Sequence, residues 1–278
     1  MAARSATRRR VSRATSRAAS SPAMHMLARV GLAARGVLYI LIGWLAVQIA
    51  LGHAGRQADR SGALRIVAGT RIGSTLLWVL VIGFAGLALW RLVEALYGSP
   101  GLGGRKTATR AKSLLSALVY GFLAFGTLKY ALGAGAPPST NQQSVDLTTA
   151  AMREPGGRVI VIVLGLALIG GGLYLAYQAW RRKFLVNLRT SRMSKRTRRG
   201  VETMGLVGGL ARAVVFTVAG IFLVVAATKA QPGQAKGIDS SLRVLAAMPL
   251  GPWVLALVAV GLIMFGLYSC CEARWFRG

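Results

Sequence analysis

Acidic residues are scarce in this sequence. Seven Asp and Glu stand against 35 Lys and Arg in 278 residues, a formal net charge of +28. Carboxylates this few, spread from Asp59 to Glu272 over six segments, do not build a polymetal site. Cysteine is confined to the adjacent Cys270 and Cys271. That excludes a disulfide framework, and the pair reads as small packing thiols, since a vicinal bridge would be strained. Histidine occurs only at His25 and His53, which leaves no metal cluster of ordinary spacing. No phosphate loop, nucleophile–base–acid constellation or pair of haem-ligating histidines within an apolar run is present. These absences argue against an enzyme and predict no catalytic, cofactor-binding or metal-binding residue.

What the sequence has is apolar length. Hydrophobic residues make up 54% of the chain and the mean hydropathy is +0.53, with the charges gathered in blocks between apolar runs. Six windows, residues 30–51, 73–93, 113–133, 159–180, 206–228 and 252–272, are long and apolar enough to span a hydrocarbon core of about 30 Å, which needs roughly 20 helical residues. Runs such as Val159 to Ile169 lack the period-two alternation of a barrel strand, so the spans are read as helices. The fold class expected is an all-α integral membrane protein with six transmembrane helices. Gly205/Gly209, Ala117/Gly121 and Ala167/Gly171 have small-xxx-small spacing, read as ordinary packing within the bundle.

Basic residues set the orientation. The segments 1–35, 91–113, 181–203 and the tail from 272 carry 24 Lys and Arg, and the opposite loops carry ten. The positive-inside tendency then places both termini in the cytoplasm; the membrane expected is the plasma membrane. Residues 1–25, with Arg4, Arg8, Arg9, Arg10, Arg13 and Arg17 among Ser, Thr and Ala, read as a disordered basic tail attracted to anionic lipid head groups. The tail has no interleaved aromatics of the kind nucleic-acid binding uses. No small-residue cleavage site precedes the first span, so the tail is read as mature protein.

The sequence also repeats itself. Gly31-Leu-Ala-Ala-Arg35-Gly-Val-Leu-Tyr39 aligns with Gly208-Gly-Leu-Ala-Arg212-Ala-Val-Val-Phe216 at a shift of 177. A shift of 178 brings Leu64-Arg65 onto Leu242-Arg243, Trp90 onto Tyr268 and Glu94 onto Glu272. In a weaker middle copy, Tyr120 matches Tyr39, and a shift of 84 brings Gly157, Tyr174 and Gln178 onto Gly73, Trp90 and Glu94. The reading is three helical hairpins, over 26–98, 110–181 and 204–275. With two spans each, the copies run parallel, without the inverted repeats usual in alternating-access carriers. Each outer loop holds a short amphipathic segment, at Ser61–Ala68, Asp146–Met152 and Asp239–Ala247, expected to be an interfacial helix with an Asp or Ser N-cap; Pro155 and Pro249 end two of them.

Three two-helix units, each opening on a Gly-Leu-Ala-Arg-Gly-like stretch followed by an aromatic and continuing through Ala-Leu-Arg, resemble the bacterial membrane family called domain of unknown function 1206. The resemblance covers residues 27–275. It implies this fold and a membrane location, and the family is frequent in actinobacteria; the 28 Arg against 7 Lys agree with a GC-rich genome. The middle copy departs from the pattern, with Ser116 where Arg35 and Arg212 stand.

Those arginines are the notable charges. Gly36 to Leu51 gives only about 24 Å of helix, so the span has to reach back past Arg35; the same holds for Arg212. A guanidinium at that depth costs on the order of a few kcal/mol unless it snorkels or finds a counter-charge. Glu94 and Glu272 end the second helices of the hairpins that have the arginine, and the middle copy loses both members, as Ser116 and Gln178. The pairs expected are therefore Arg35 with Glu94 and Arg212 with Glu272, each inside one hairpin. Trp90, Tyr174 and Tyr268, one turn before the acid position, read as interface anchors. The function expected is a non-enzymatic structural or accessory membrane component that packs with itself or with other membrane proteins. The alternative is a channel or small-solute permease running along the repeat axis.

Overall fold

A computed structural model describes residues 22–53, 57–97, 107–135, 137–188, 193–247 and 250–275. Among them are nine α-helices and no strand: α1 (Pro22–Ala50), α2 (Arg60–Ala68), α3 (Gly73–Tyr97), α4 (Thr107–Ala131), α5 (Thr140–Arg153), α6 (Gly157–Trp180), α7 (Lys195–Thr228), α8 (Ile238–Ala246) and α9 (Gly251–Arg274). Of the tail read over residues 1–25, all but the last four lie outside the described residues, as does Pro249; residues 22–25 open α1.

Among the described residues six helices are long and apolar enough to cross a membrane: Met26–Ala50, Gly73–Leu96, Thr109–Ala131, Gly157–Trp180, Lys195–Thr228 and Gly251–Arg274. Five lie within a few residues of the windows read from hydropathy. The exception is α7, which starts at Lys195 because Ser194 caps it, accepting from the Thr197 N–H at 3.1 Å, and Arg198 pairs with Glu202 one turn on. These two local devices extend the helix through a polar stretch that hydropathy leaves out.

The long helices follow one another as three hairpins, and the connection within each hairpin carries a short helix. Two of the three short helices are not laid on a surface, whereas in α5 only Thr148 is buried. Ser61, Gly62, Ala63, Leu64 and Val67 of α2 are all buried, as are Ser241, Leu242 and Leu245 of α8, so both helices are tucked among the long ones. Their caps also differ from expectation. Asp59 caps α2, Ser139 caps α5, and α8 starts at Gly237 without a side-chain cap. Asp146 therefore lies inside α5, and Asp239 sits in the first turn of α8.

The closest helix pairs cross repeat boundaries: α1 on α9, α6 on α7 and α3 on α4. Small residues make this possible. A Cβ on Gly36 of α1 would come within 2.8 Å of the Gly266 carbonyl of α9, and one on Gly266 within 2.6 Å of the Gly36 carbonyl. The equivalent interface repeats the arrangement, since a Cβ on Gly172 of α6 would meet the Ala213 carbonyl of α7 at 2.9 Å. Positions 36 and 213 are related by the internal shift of 177, so both contacts place the first helix of one repeat on the second helix of the preceding one. Inside hairpins 1 and 3, α1 also packs on α3 and α7 on α9. In the middle hairpin α4 and α6 do not pack closely on each other.

The common core is apolar. Leu38, Ile42 and Leu45 of α1 meet Leu77, Leu80 and Phe84 of α3, Val215 of α7, and Leu255, Val258 and Leu262 of α9. The α1–α9 contact gives a direct prediction. Gly36→Ala should lower the stability of the detergent-solubilised protein by about 1–3 kcal/mol through overpacking. Gly121→Ala, where a Cβ meets nothing within 4 Å, should stay within about 0.5 kcal/mol of wild type. Thermal unfolding monitored by helical circular dichroism checks both.

Candidate functional site

Two polar knots interrupt the apolar bundle, one near each end of the long helices. The first gathers around Arg35. Its Nη2 donates to Glu272 Oε2 at 2.6 Å, its Nε to Ser269 Oγ at 3.2 Å and its Nη1 to the Tyr120 hydroxyl at 3.5 Å. Arg35 is on α1, Tyr120 on α4, and Ser269 and Glu272 on α9, so one guanidinium touches all three repeats. Ser269 and Glu272 are three apart on α9 and present their oxygens on the same helix face. Ser269 in turn donates to the Phe265 carbonyl at 3.0 Å.

This corrects the pairing read from the sequence. Arg35 is paired with Glu272, in the third repeat, rather than with Glu94. Glu94 accepts from Arg91 on its own helix at 2.7 Å and from Ser113 of α4 at 3.4 Å. Among the described residues no carboxylate pairs with Arg212. Its guanidinium stacks over Phe265 at 4.2 Å, Tyr39 at 5.3 Å and Phe216 at 5.8 Å, and its buried Nε has no hydrogen-bond partner.

The pseudo-threefold arrangement explains all three outcomes. By repeat equivalence with the Arg35–Glu272 pair, each arginine position is matched to the acid position of the preceding repeat. At the boundary of repeats 3 and 1 both members are present, as Arg35 and Glu272. At the boundary of 1 and 2 the arginine is replaced by Ser116, and Glu94 is answered by Arg91. At the boundary of 2 and 3 the acid is replaced by Gln178, and Arg212 is answered by aromatic faces, which attract a guanidinium through the ring quadrupole. Losing both residues from the middle copy thus removes one partner from each of two different pairs.

The aromatics anchor less of the membrane boundary than expected. Trp90 and Tyr268 are 5% and 4% exposed, and only Tyr174, at 49%, faces outward. Tyr268 is covered by Phe184, from the turn Lys183–Asn187 between hairpins 2 and 3, at 5.2 Å edge to face. Cys270 and Cys271 are free, partly buried thiols on α9, and Cys270 Sγ lies against Gly36.

The second knot ties the loops that carry the short helices. Asp59 is fully buried. Its Oδ1 accepts from the Gly62 N–H at 3.1 Å and from Ser61 Oγ at 2.7 Å, and its Oδ2 from the backbone N–H and the hydroxyl of Thr140, both at 2.7 Å. Asp239 accepts from the Ala58 N–H at 2.7 Å and from Arg243 at 2.8 Å. The Gly237 N–H donates to Asn141 Oδ1 at 3.3 Å. Asp59 joins repeat 1 to repeat 2, Asn141 joins 2 to 3, and Asp239 joins 3 to 1, so the three loops close a ring. Beside it, Arg60 lies over Gly126 and donates to the Leu123 carbonyl at 2.8 Å and to Thr127 at 3.2 Å. Burial pushes its pKa down to about 10, against the pull of neighbouring Asp59.

Sequence reasoning missed Tyr120, Ser269 and the loop ring. Tyr120 carried a signal, its repeat match to Tyr39; Ser269 and Thr140 carried none, being ordinary small polar residues. In the second knot the hydroxyls of Ser61 and Thr140 are spent as donors to the buried Asp59 carboxylate. What both knots offer is charge neutralised across repeat boundaries.

Comparison with known proteins agrees with the threefold pattern. The family model described as Domain of Unknown Function (DUF1206) matches three times, at residues 30–98, 111–182 and 207–275. The chain is 31% identical over 252 residues to the "Uncharacterized protein YxxB" of Bacillus subtilis (strain 168), covering 90% of each. No solved structure matches.

The half-pair at Arg212 can be completed. Gln178→Glu should raise stability by about 1 kcal/mol by giving that guanidinium a carboxylate, read as a higher unfolding midpoint in detergent. A lower midpoint would contradict the repeat equivalence of Gln178 and Glu272.

Proposed function

The chain belongs to the DUF1206 family, and on that premise we propose that it is a multi-pass plasma-membrane protein with a non-enzymatic structural or accessory role, both termini in the cytoplasm. The observation that carries this reading is how the polar groups are used. Arg35, Glu272, Asp59 and Asp239 are spent on one another and on the backbone, and the space between them is filled by Leu38, Ile42, Leu45, Phe84 and Leu262. A permease along the repeat axis would line that space with polar side chains or water, so the apolar filling favours the structural reading over the channel. Orientation follows the excess of Lys and Arg on the terminal side. The basic tail adds attraction to anionic head groups, at about 1 kcal/mol per residue near such a surface. Contact with other membrane proteins belongs to the same reading, and nucleic acid does not.

Thiol labelling in intact cells tests it. In a Cys270→Ser, Cys271→Ser background, Gly233→Cys should react with an impermeant maleimide and Gly200→Cys should react only after lysis. The reverse pattern overturns the orientation. The purified protein in liposomes should leave small-ion and small-solute flux at the protein-free level; flux proportional to protein overturns the structural role.

A further inference from the structure

The middle hairpin is built differently from the other two. Hairpins 1 and 3 are closed by direct packing of their two long helices, whereas α4 and α6 stand apart. They approach each other near one end, where the Lys112 ammonium of α4 lies 5.5 Å from the centre of the Tyr174 ring of α6. Residues three, four and seven positions along a helix share a face. The face of α4 that carries Lys112 therefore also carries Leu115 and Val119, and the face of α6 that carries Tyr174 also carries Gly170 and Val163. Leu115, Val119 and Val163 are 65%, 50% and 57% exposed, and a Cβ on Gly170 would meet nothing within 4 Å. An apolar cleft thus runs between α4 and α6 above the Lys112–Tyr174 contact.

The charge at its mouth identifies the occupant. Lys183, just beyond the end of α6, lies 4.6 Å from the ring of Tyr177, one turn on from Tyr174. Two ammonium groups are therefore held on two outward-facing tyrosines at the same end of the cleft. The carboxylates described at this end are engaged elsewhere: Glu94 by Arg91, Glu202 by Arg182 and Arg198, and Glu272 by Arg35. A second copy of this chain would bring the same cations to the same rim and be repelled. A molecule with an anionic head and a thin aliphatic chain suits both ends.

We propose that the cleft between α4 and α6 binds an anionic glycerophospholipid, with an acyl chain between Val119 and Gly170 and the phosphate at Lys112 and Lys183. The site rests on the membrane reading above and is separate from the N-terminal tail. It takes the place of the missing contact between the helices of the middle hairpin, so the lipid completes the third side of the bundle.

Native mass spectrometry of the full chain in mild detergent, titrated with phosphatidylglycerol or phosphatidylcholine of the same acyl chains, tests this. Wild type should retain phosphatidylglycerol with about tenfold preference. Lys112→Gln with Lys183→Gln should bring that ratio near one, Lys112→Arg with Lys183→Arg should keep it, and Val163→Trp should weaken both lipids alike. Equal retention of the two lipids by wild type, or a preference that survives the glutamine pair, overturns the site. So does a wild-type dimer that Val163→Trp splits, which would assign the cleft to a second copy. A chain that leaves the membrane fraction in buffer without detergent overturns the membrane reading itself; a detergent-dependent chain without headgroup preference overturns the lipid site alone.

Discussion

A guanidinium held inside an apolar helix bundle has to be answered by something, because removing it from water costs several kcal/mol when nothing compensates. Arg35 is answered by Glu272, Ser269 and Tyr120 together. Its partner Glu272 lies 237 positions away. The ion pair therefore joins the first long helix to the last and closes the row of repeats into a ring. The tight α1–α9 contact through Gly36 and Gly266 is the packing counterpart of the same closure.

The closure is needed only once, and this accounts for the asymmetry of the other two boundaries. With Ser116 and Gln178 in the middle copy, Glu94 turns to Arg91 on its own helix and Arg212 to three aromatic rings. The chain connections already hold those boundaries, α3 to α4 and α6 to α7, because consecutive helices are tethered by short linkers. The boundary between α9 and α1 has no such tether. The two ionic partners are retained where covalent continuity is absent. On the opposite face the hydrogen bonds of Asp59, Asn141 and Asp239 close the loops in the same cyclic order, so the bundle is fastened at both ends around an apolar middle.

Much of this fold is legible in the sequence. Apolar runs gave the long helices to within a few residues, except where Ser194 and the Arg198–Glu202 pair extend α7, and the repeat gave the three hairpins. The candidate site was legible in its members and not in its partners. Arg35, Glu94, Arg212 and Glu272 stand out because charge is expensive in a span, and the joint change at Ser116 and Gln178 marks them as related. Yet that joint change points to pairing within a hairpin, because between neighbours it strips one member from each of two pairs, and the structure has the second arrangement. The choice is made by small residues such as Gly36, Gly172 and Gly266, which let neighbouring repeats approach. The loop ring was hidden for another reason: the donors to Asp59 and Asp239 include the backbone N–H groups of Thr140 and Ala58, which no side-chain pattern reveals.

The most direct test of ring closure is a double-mutant cycle on unfolding free energy in detergent. Arg35→Gln combined with Glu272→Gln should show a coupling of about 1.5 kcal/mol or more, whereas Arg35→Gln combined with Glu94→Gln should be additive within about 0.5 kcal/mol. Strong coupling of Arg35 to Glu94 with none to Glu272 would contradict it and return the pairing to the individual hairpin.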